Sequence, residues 1–242
     1  MRQSNTYILL YSAAITVVCG GLLAFAAISL KDKQDENIAL EAKKNILSSV
    51  MTLNDDINVA EVYDKKVKAF VIDFEGNVKE GVTPEQVVIA SEYKKAPKDR
   101  LLPVYEFRNE SDPSKVDYAV LPVYGYGLWN YIWGYVAVKS DFNTIQGVTF
   151  AAPGETPGLG KRVEDAEIMD RYKEKTVFEN GTLVSVTMQK GEGKDYSSDK
   201  HKVDGMSSAT LTAKGVNNML ADYLACYEKY LKKNSAQGTA LN

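Results

Sequence analysis

The sequence has few of the residues that build metal sites and disulfide frameworks. Its 242 residues include two cysteines, Cys19 and Cys226, and a single histidine, His201. The two cysteines are far apart and form no CxxC pair, which excludes the usual zinc ligand sets and a scaffold held together by disulfides. The sequence therefore predicts no metal site.

A long basic tract is also missing. The formal net charge is −3, and acidic and basic residues are mixed along the chain. Proteins that bind nucleic acid usually concentrate Lys and Arg on one face or segment, so no nucleic-acid partner is expected. A catalytic set is absent too, because no Ser or Cys has recognisable partners and His201 lies in a basic stretch expected on the solvated surface. No catalytic residue is predicted.

One hydrophobic run stands out near the N-terminus. Tyr7 to Leu30 contains no charged residue. At about 1.5 Å of rise per residue, this run is long enough to cross a hydrocarbon core of roughly 30 Å. A cleaved signal peptide is the alternative, because Ala24-Phe25-Ala26 resembles a cleavage site. The run is longer than a usual signal core and Arg2 is the only charged side chain before it, which favours a retained transmembrane helix with membrane lipid as a partner.

The charges at the ends of this helix leave its orientation open. Arg2 and the terminal amine precede the helix, and four lysines follow it between Lys31 and Lys44. Counted by the positive-inside rule, they favour a cytoplasmic domain. Long domains, however, translocate largely regardless of charge.

The remainder of the chain carries both strand and helix signals. Apolar residues recur at helical spacing from Val216 to Leu231, which predicts a long C-terminal helix. An amphipathic helix is expected over 31–50 and a short helix over 164–173. Residues 90–115 are polar and contain three prolines, so they predict a loop around one short strand. Strands are predicted at 67–74, 104–107, 118–124, 133–138, 145–150 and 182–189. The fold class is therefore α+β, with a mixed or antiparallel sheet.

Seven residues mark the start of the C-terminal helix: Asp204-Gly205-Met206-Ser207-Ser208-Ala209-Thr210. A helix N-terminus presents unpaired backbone N–H groups and the positive end of a dipole, which together favour a phosphate. Ser208, Thr210 and Thr212 are each candidates for the N-cap. From these residues alone, the segment is either an ordinary capped helix or an anion site.

The order Asp-Gly-x-Ser-x-Ala-Thr-Leu-Thr resembles the flavinylation motif of the NqrC family, which belongs to the bacterial sodium-translocating NADH:quinone oxidoreductase, and of the related RnfG family of the Rnf complex. In these families the threonine at the position of Thr210 carries FMN through a phosphoester bond, which a separate flavin transferase installs from FAD. The resemblance implies that the residues around this FMN include Asp204, Gly205, Ser207, Ser208 and Ala209. Ser208 stands where the family has Gly, and Ser reaches positive φ less readily.

Two further stretches match the family in order along the chain. Glu155-Thr156-Pro157-Gly158-Leu159-Gly160 predicts a tight loop, and Tyr124 to Trp129 contains Gly-Tyr-Gly-Leu-Trp. Considered alone, they are an ordinary turn and a sheet core that bends at glycines. Two alternatives are open for Lys161 and Arg162: they offset phosphate charge, or they are solvated on the surface. The resemblance implies that the flavin is lined by Thr156, Gly158, Leu159, Gly160 and Trp129.

The resemblance implies an electron-carrier subunit of a membrane-bound oxidoreductase, with the other subunits and the flavin transferase as partners. It also implies a periplasmic domain on a single-pass anchor in the inner membrane. The expected organisation is an anchor at 1–33, an FMN-binding domain at 34–233 and a flexible tail at 234–242. NADH is not expected to bind, because no GxGxxG is followed by the required acidic residue.

Two alternatives stay open from the sequence. One is the RnfG family, which has the same flavin chemistry with ferredoxin as the donor. The other is a membrane-tethered binding or assembly module with an empty flavin site, for which Ser208 is the best support.

Overall fold

The structure, a computed structural model, describes residues 4–54 and 57–239. Its contacts divide the chain into two units, Met1–Ala42 and Lys43–Asn242. Helix α1 spans Asn5–Ser48 and is continuous through the apolar run, where an 18-residue window has a mean hydropathy of 2.3 and no buried residue. This helix is long and apolar enough to cross a membrane. The helix predicted over 31–50 is confirmed as the second part of α1.

The larger unit is built on one antiparallel sheet whose five strands follow in the order β1-β2-β3-β4-β5. Each strand pairs with the next one along the chain, so the sheet is a meander, and the predicted α+β class is confirmed. The strands are β1 Val67–Ile72, β2 Leu102–Arg108, β3 Val116–Tyr126, β4 Tyr131–Lys139 and β5 Ile145–Ala151.

Helices cover both faces of this sheet. Helix α5, Thr210–Thr239, packs its predicted apolar face on β3, and a Cβ added at Gly125 would meet the Met219 side chain at 2.6 Å. On the other face, Ile46 and Leu47 at the end of α1 pack with helix α2, Val59–Lys66. Removing these apolar side chains from water is the main stabilising contribution, at about 25 cal/mol per Å².

The strand predicted at 182–189 is wrong. Ser185 lies in the left-handed region with φ +61°, which a continuous strand does not allow. The segment instead contributes two short strands to separate pairings. They are β7 Thr182–Leu183, paired with β6 Phe178–Glu179, and β8 Thr187–Met188, paired in parallel with β9 Lys202–Val203.

Helical boundaries also differ from the prediction. The helix expected over 164–173 is a 3-10 turn, Gly160–Glu164, followed by α4, Ala166–Asp170. Helix α4 ends at Asp170, and Glu174, with φ +63°, lies in the turn that follows. Helix α5 runs beyond Leu231 to Thr239, and residues 240–242 of the expected tail lie outside the described part of the chain. The loop predicted over 90–115 also contains helical structure. Helix α3, Ile89–Glu92, extends into its start, and a 3-10 turn, Pro97–Asp99, precedes β2.

Candidate functional site

Thr210 is the first residue of α5 and is exposed to solvent. The residue before it is Ala209, which carries no side-chain oxygen to cap the first helical amides. The expected N-caps Ser208, Thr210 and Thr212 are therefore wrong, since none of them immediately precedes the helix. The N-terminus keeps amides available to an anion, an interaction typically worth about 0.3–1 kcal/mol.

Ser208 adopts the left-handed conformation, with φ +58°. This is the conformation that a glycine reaches freely and that costs other residues about 1–2 kcal/mol. The loop thus keeps the backbone shape that suits Gly, although Ser occupies the position. The departure from the family motif is accommodated as local strain and leaves Thr210 at the start of the helix.

A carboxylate from a distant loop holds the segment before α5. Glu192 accepts the backbone N–H of Ser207 at 2.9 Å, two guanidinium bonds from Arg162 at 2.7 and 2.9 Å, and one from Arg171 at 3.1 Å. The Arg162 bonds, followed by the Ser207 amide, hold the pKa of Glu192 far below its usual range. Arg162 is therefore engaged in an ion pair beside the motif and is not simply solvated.

Asp204 and Gly205 fasten the same segment to the loop at 189–193. The Asp204 carboxylate accepts the Gly193 N–H at 2.7 Å, which joins the motif to that loop. Gly205 has no room for a side chain, because an added Cβ would lie 2.0 Å from the carbonyl oxygen of Gln189 and 2.2 Å from that of Gly191. Arg171 also donates to the Gly205 carbonyl. The motif backbone is thus held at several points while Thr210 stays exposed.

Glu155 joins three segments of the site. One carboxylate oxygen accepts the amides of Leu128 and Trp129, both at 2.9 Å, and the other accepts the Thr212 hydroxyl at 2.6 Å. The carboxylate is buried, which alone raises its pKa, but the Thr212 and backbone bonds outweigh burial and place the pKa below the usual value. An added Cβ at Gly160 would lie 2.6 Å from this carboxylate and 2.4 Å from the Thr212 hydroxyl.

The loop at 156–160 is a tight turn, as predicted. The Thr156 carbonyl accepts the amides of Leu159 and Lys161, both at 3.1 Å. Gly158 takes φ +75° and has open space where a Cβ would be, so the turn needs glycine there for its backbone angle. Thr156 and Leu159 point outward, whereas Gly160 is buried against Glu155.

Large apolar side chains are exposed on the segments that Glu155 joins. Trp129 is 65% exposed and Leu211 is 58% exposed, with Leu128 and Leu159 also on the surface. The interpretation of Trp129 as a core residue is therefore wrong. A flavin has a flat apolar ring and a charged phosphate tail, so these side chains and the uncapped helix N-terminus fit FMN.

Other features of the molecule lie away from these segments. Two clefts of about 290 Å³ each are lined by other residues, one beside Glu106 and Tyr230 and one beside Val50 and Asp117. His201 is half-buried with its Nδ1 2.8 Å from the Thr176 carbonyl oxygen, which corrects its expected surface position. Among the described residues, no group of three or more His, Cys, Asp or Glu side chains is placed to hold a metal ion.

Sequence reasoning missed three charged residues that organise the site: Glu155, Arg171 and Glu192. Glu155 opens a recognised motif, yet nothing in the sequence signals that its partner is Thr212, 57 positions later. The Arg171–Glu192 contact crosses 21 positions and has no local pattern. An acidic residue just before a glycine-rich turn is the one signal that points to Glu155.

Comparisons with known proteins agree with this geometry. The model of the FMN-binding domain family matches residues 127–225, which include every candidate flavin residue from Trp129 to Thr210. The NqrC subunit of the Na(+)-translocating NADH-quinone reductase of Haemophilus ducreyi is 33% identical, over 84% of this chain and 83% of that protein. The corresponding subunit of Pseudomonas aeruginosa is 32% identical over 92% of both chains.

Solved structures give the same result. The crystal structure of the NqrC subunit from Parabacteroides distasonis superposes with a TM-score of 0.73 at 29% identity, covering 84% of this chain and 96% of that chain. NqrC of Shewanella oneidensis gives a TM-score of 0.67 at 27% identity, covering 81% of this chain and 97% of that chain. With an FMN-binding domain, an apolar helix long enough to anchor it and this degree of similarity, the chain belongs to the NqrC family of Na(+)-translocating NADH-quinone reductase subunits.

Proposed function

We propose that this chain is the electron-carrier subunit of a sodium-translocating NADH:quinone oxidoreductase, with FMN attached to Thr210 through a phosphoester bond. The bound flavin would supply the redox chemistry by taking up and releasing electrons singly. The protein would supply the attachment point, a wall for the ring and a surface for partner subunits. A complete catalytic activity is not expected of the chain alone.

The observation that carries the proposal is the exposure of Thr210 at the uncapped N-terminus of α5. A phosphoester there would place its charge at the positive end of the helix dipole. Thr212, two residues later, is 1% exposed and donates its hydroxyl to Glu155, so it is a poor acceptor for a transferase. Ser207 and Ser208 are also exposed and are the remaining competitors within the segment.

The second group of supporting contacts concerns the flavin ring. Trp129 and Leu128 extend from one turn, Leu159 from another and Leu211 from α5, and Glu155 links all three segments. Thr156, Gly158 and Gly160 shape the second turn. We assign these residues to the flavin wall and the 204–209 segment to presentation of Thr210.

We further propose that residues 1–33 anchor the protein in the inner membrane, that 34–233 form the FMN-binding domain on the periplasmic side, and that 234–242 form a tail. A covalent bond would prevent loss of the cofactor by dilution outside the cytoplasm. A separate flavin transferase would use FAD as donor, and other subunits of the complex would exchange electrons with the flavin.

Two alternative functions are less well supported than this proposal. The RnfG family has the same flavin chemistry, but the relatives described above are named as NqrC subunits of the sodium-translocating enzyme. An assembly module with an empty site is disfavoured by Ser208, whose φ of +58° preserves the loop that the motif requires. Such a module would be colourless after production with the transferase.

The decisive experiment compares Thr210→Ala, Thr210→Ser and Ser207→Ala, each produced with a flavin transferase. Ala is well tolerated in a helix, so Thr210→Ala should fold and yet show no flavin mass and no yellow colour. Ser207→Ala should load normally, and Thr210→Ser keeps a hydroxyl that can still be modified. Covalent flavin on the Thr210→Ala variant would assign the acceptor to another residue and overturn the proposal.

A further inference from the structure

The Glu155 carboxylate is a hydrogen-bonded link between the turn at 127–130, called here the Trp129 turn, and helix α5. The turn itself is closed by local bonds: the Gly127 amide donates to the Asn130 carbonyl at 2.8 Å, and the Tyr126 hydroxyl donates to the Trp129 carbonyl at 3.0 Å. These bonds fix the shape of the turn but not its place relative to α5. Glu155 adds that placement, because its two oxygens bind the turn and Thr212 at the same time.

The glycines around Glu155 point to the same role. A Cβ at Gly127 would lie 2.5 Å from one Glu155 oxygen, and a Cβ at Gly160 would lie 2.6 Å from the other. A Cβ at Gly215, on α5, would lie 2.5 Å from the Tyr126 carbonyl oxygen. Backbone from the turn therefore packs directly on the carboxylate and on the helix, which leaves little freedom for either to shift.

We propose that Glu155 is a positioning residue, which holds the Trp129 turn in register with the first turns of α5 so that a flavin at Thr210 meets a fixed apolar wall. This inference rests on the proposed function, because it assumes that Thr210 carries the flavin. Trp129 itself is 65% exposed and has little packing to hold it, so its position depends on its backbone. The role belongs to the hydrogen bonds of Glu155 and not to its charge.

The difference between bond and charge can be tested with Glu155→Gln. A glutamine oxygen can accept the Leu128 and Trp129 amides, and its NH₂ group can donate to the Thr212 hydroxyl, so the three-way connection survives without the charge. Glu155→Ala removes the connection. Thr212→Val breaks only the link to α5, and Thr212→Ser restores the hydroxyl.

The first measurement uses the full-length protein in detergent without flavin. Hydrogen exchange followed by mass spectrometry reports on the Leu128 and Trp129 amides, which are protected by their bonds to Glu155. We expect faster exchange in a peptide covering 126–133 for Glu155→Ala and near wild-type exchange for Glu155→Gln. Unchanged exchange in Glu155→Ala would overturn the inference independently of any flavin chemistry.

The second measurement uses the flavin-loaded protein. Visible circular dichroism and flavin fluorescence report on contact between the ring and Trp129, with Trp129→Leu as the reference for a lost aromatic neighbour. Glu155→Ala and Thr212→Val should move towards that reference, while Glu155→Gln and Thr212→Ser should keep the wild-type signals. If Glu155→Gln gives the same flavin signals as Glu155→Ala, the charge of Glu155 and not its hydrogen bonds determines the position of Trp129. The inference is then wrong.

The controls separate this inference from the proposed function. If wild-type protein takes up no flavin, the proposed function fails while the exchange experiment still tests the tether. If Glu155→Ala does not fold, the Thr212→Val and Thr212→Ser pair tests the same link with a smaller change. Equal flavin signals in that pair would contradict the positioning role.

Discussion

Thr210 and Thr212 lie two positions apart on α5 and have opposite environments. Thr210 is exposed, whereas Thr212 is buried and its hydroxyl donates to the Glu155 carboxylate at 2.6 Å. Residues two apart on a helix point in different directions, so one threonine can be modified while the other holds the core together. This division of roles makes the two threonines separable by mutation.

Thr212→Val should therefore retain the flavin adduct but lose stability. Valine matches the shape of threonine and removes a hydrogen bond to a buried carboxylate, which costs about 1.5–3 kcal/mol. Urea unfolding gives the free energy of unfolding, and intact mass gives the adduct. Loss of the adduct in a folded Thr212→Val protein would mean that Thr212, and not Thr210, is the acceptor or is needed for its presentation.

Ser208→Gly should stabilise the protein. It relieves a left-handed serine, worth about 1–2 kcal/mol, and part of the gain is lost because an unfolded glycine has more freedom, which leaves about 0.5–1 kcal/mol. Flavin loading should not fall. Ser208→Val should do the reverse, since a β-branched side chain suits this conformation poorly. A urea midpoint that is lower for Ser208→Gly than for wild type would contradict backbone strain at Ser208.

Gly158→Val tests whether the turn at 156–160 borders the flavin. Gly158 and Gly81 make a matched pair, because both have positive φ, +75° and +79°, and both have open space for a side chain. Valine should cost similar stability at either position through backbone strain. Only Gly158→Val should also reduce flavin loading or change the flavin spectrum. Equal spectra and loading for the two variants would mean that the turn at 156–160 does not border the cofactor.

Acid should weaken the contribution of Glu192 to stability. Its pKa is lowered from a usual value of 4.5 by Arg162 and the Ser207 amide. A lowered folded pKa contributes stability that is present above about pH 4.5 and is lost as the pH falls towards the folded value. Wild type and Glu192→Gln should thus differ in unfolding free energy at neutral pH and converge in acid.

The control for this prediction is Glu167→Gln. Glu167 pairs with the same Arg171, but its side chain is 76% exposed, so the pair should contribute little to stability. A constant difference between wild type and Glu192→Gln from neutral to acid pH would contradict the ionic contribution of Glu192.

A reporter fused after Asn242 tests the periplasmic location. We expect activity from a reporter that works only outside the cytoplasm, because the family resemblance implies an exported domain. Intact mass of the same protein should include the residues of α1, because the apolar run is longer than the core of a usual signal peptide. Activity only from a cytoplasmic reporter would contradict this topology, and a mass that begins near Ala26 would identify a signal peptide.

Local sequence patterns predicted the elements that are governed by local rules. The α5 face from Val216 to Leu231 was predictable because its apolar residues repeat at helical spacing. The five strands of the sheet were predictable because each is a separate β-rich run, whereas their meander order was not predicted. The 182–189 strand was predicted wrongly because Ser185 has no propensity that signals φ +61°.

The candidate site also combines features that a local pattern predicts with contacts that it does not predict. The position of Thr210 at the start of α5 was predictable because the motif around it is contiguous. Contacts such as Glu155–Thr212 and Arg162–Glu192 join residues 57 and 30 positions apart, and no spacing rule connects them. The N-cap of α5 was misjudged because serine and threonine usually cap helices, whereas Ala209 occupies the cap position here.

The long-range contacts of Glu155 have a consequence for biosynthesis. The carboxylate, the Trp129 turn and Thr212 meet only after the hairpin of β3 and β4, the loop after β5 and α5 have all docked. A nascent chain has the linear motif from the moment Thr210 is synthesised, but it has the assembled surface only at the end of folding. Attachment that depends on this surface would mark completed chains, so the yellow colour of the protein would report on the quality of its folding as well as on its cofactor.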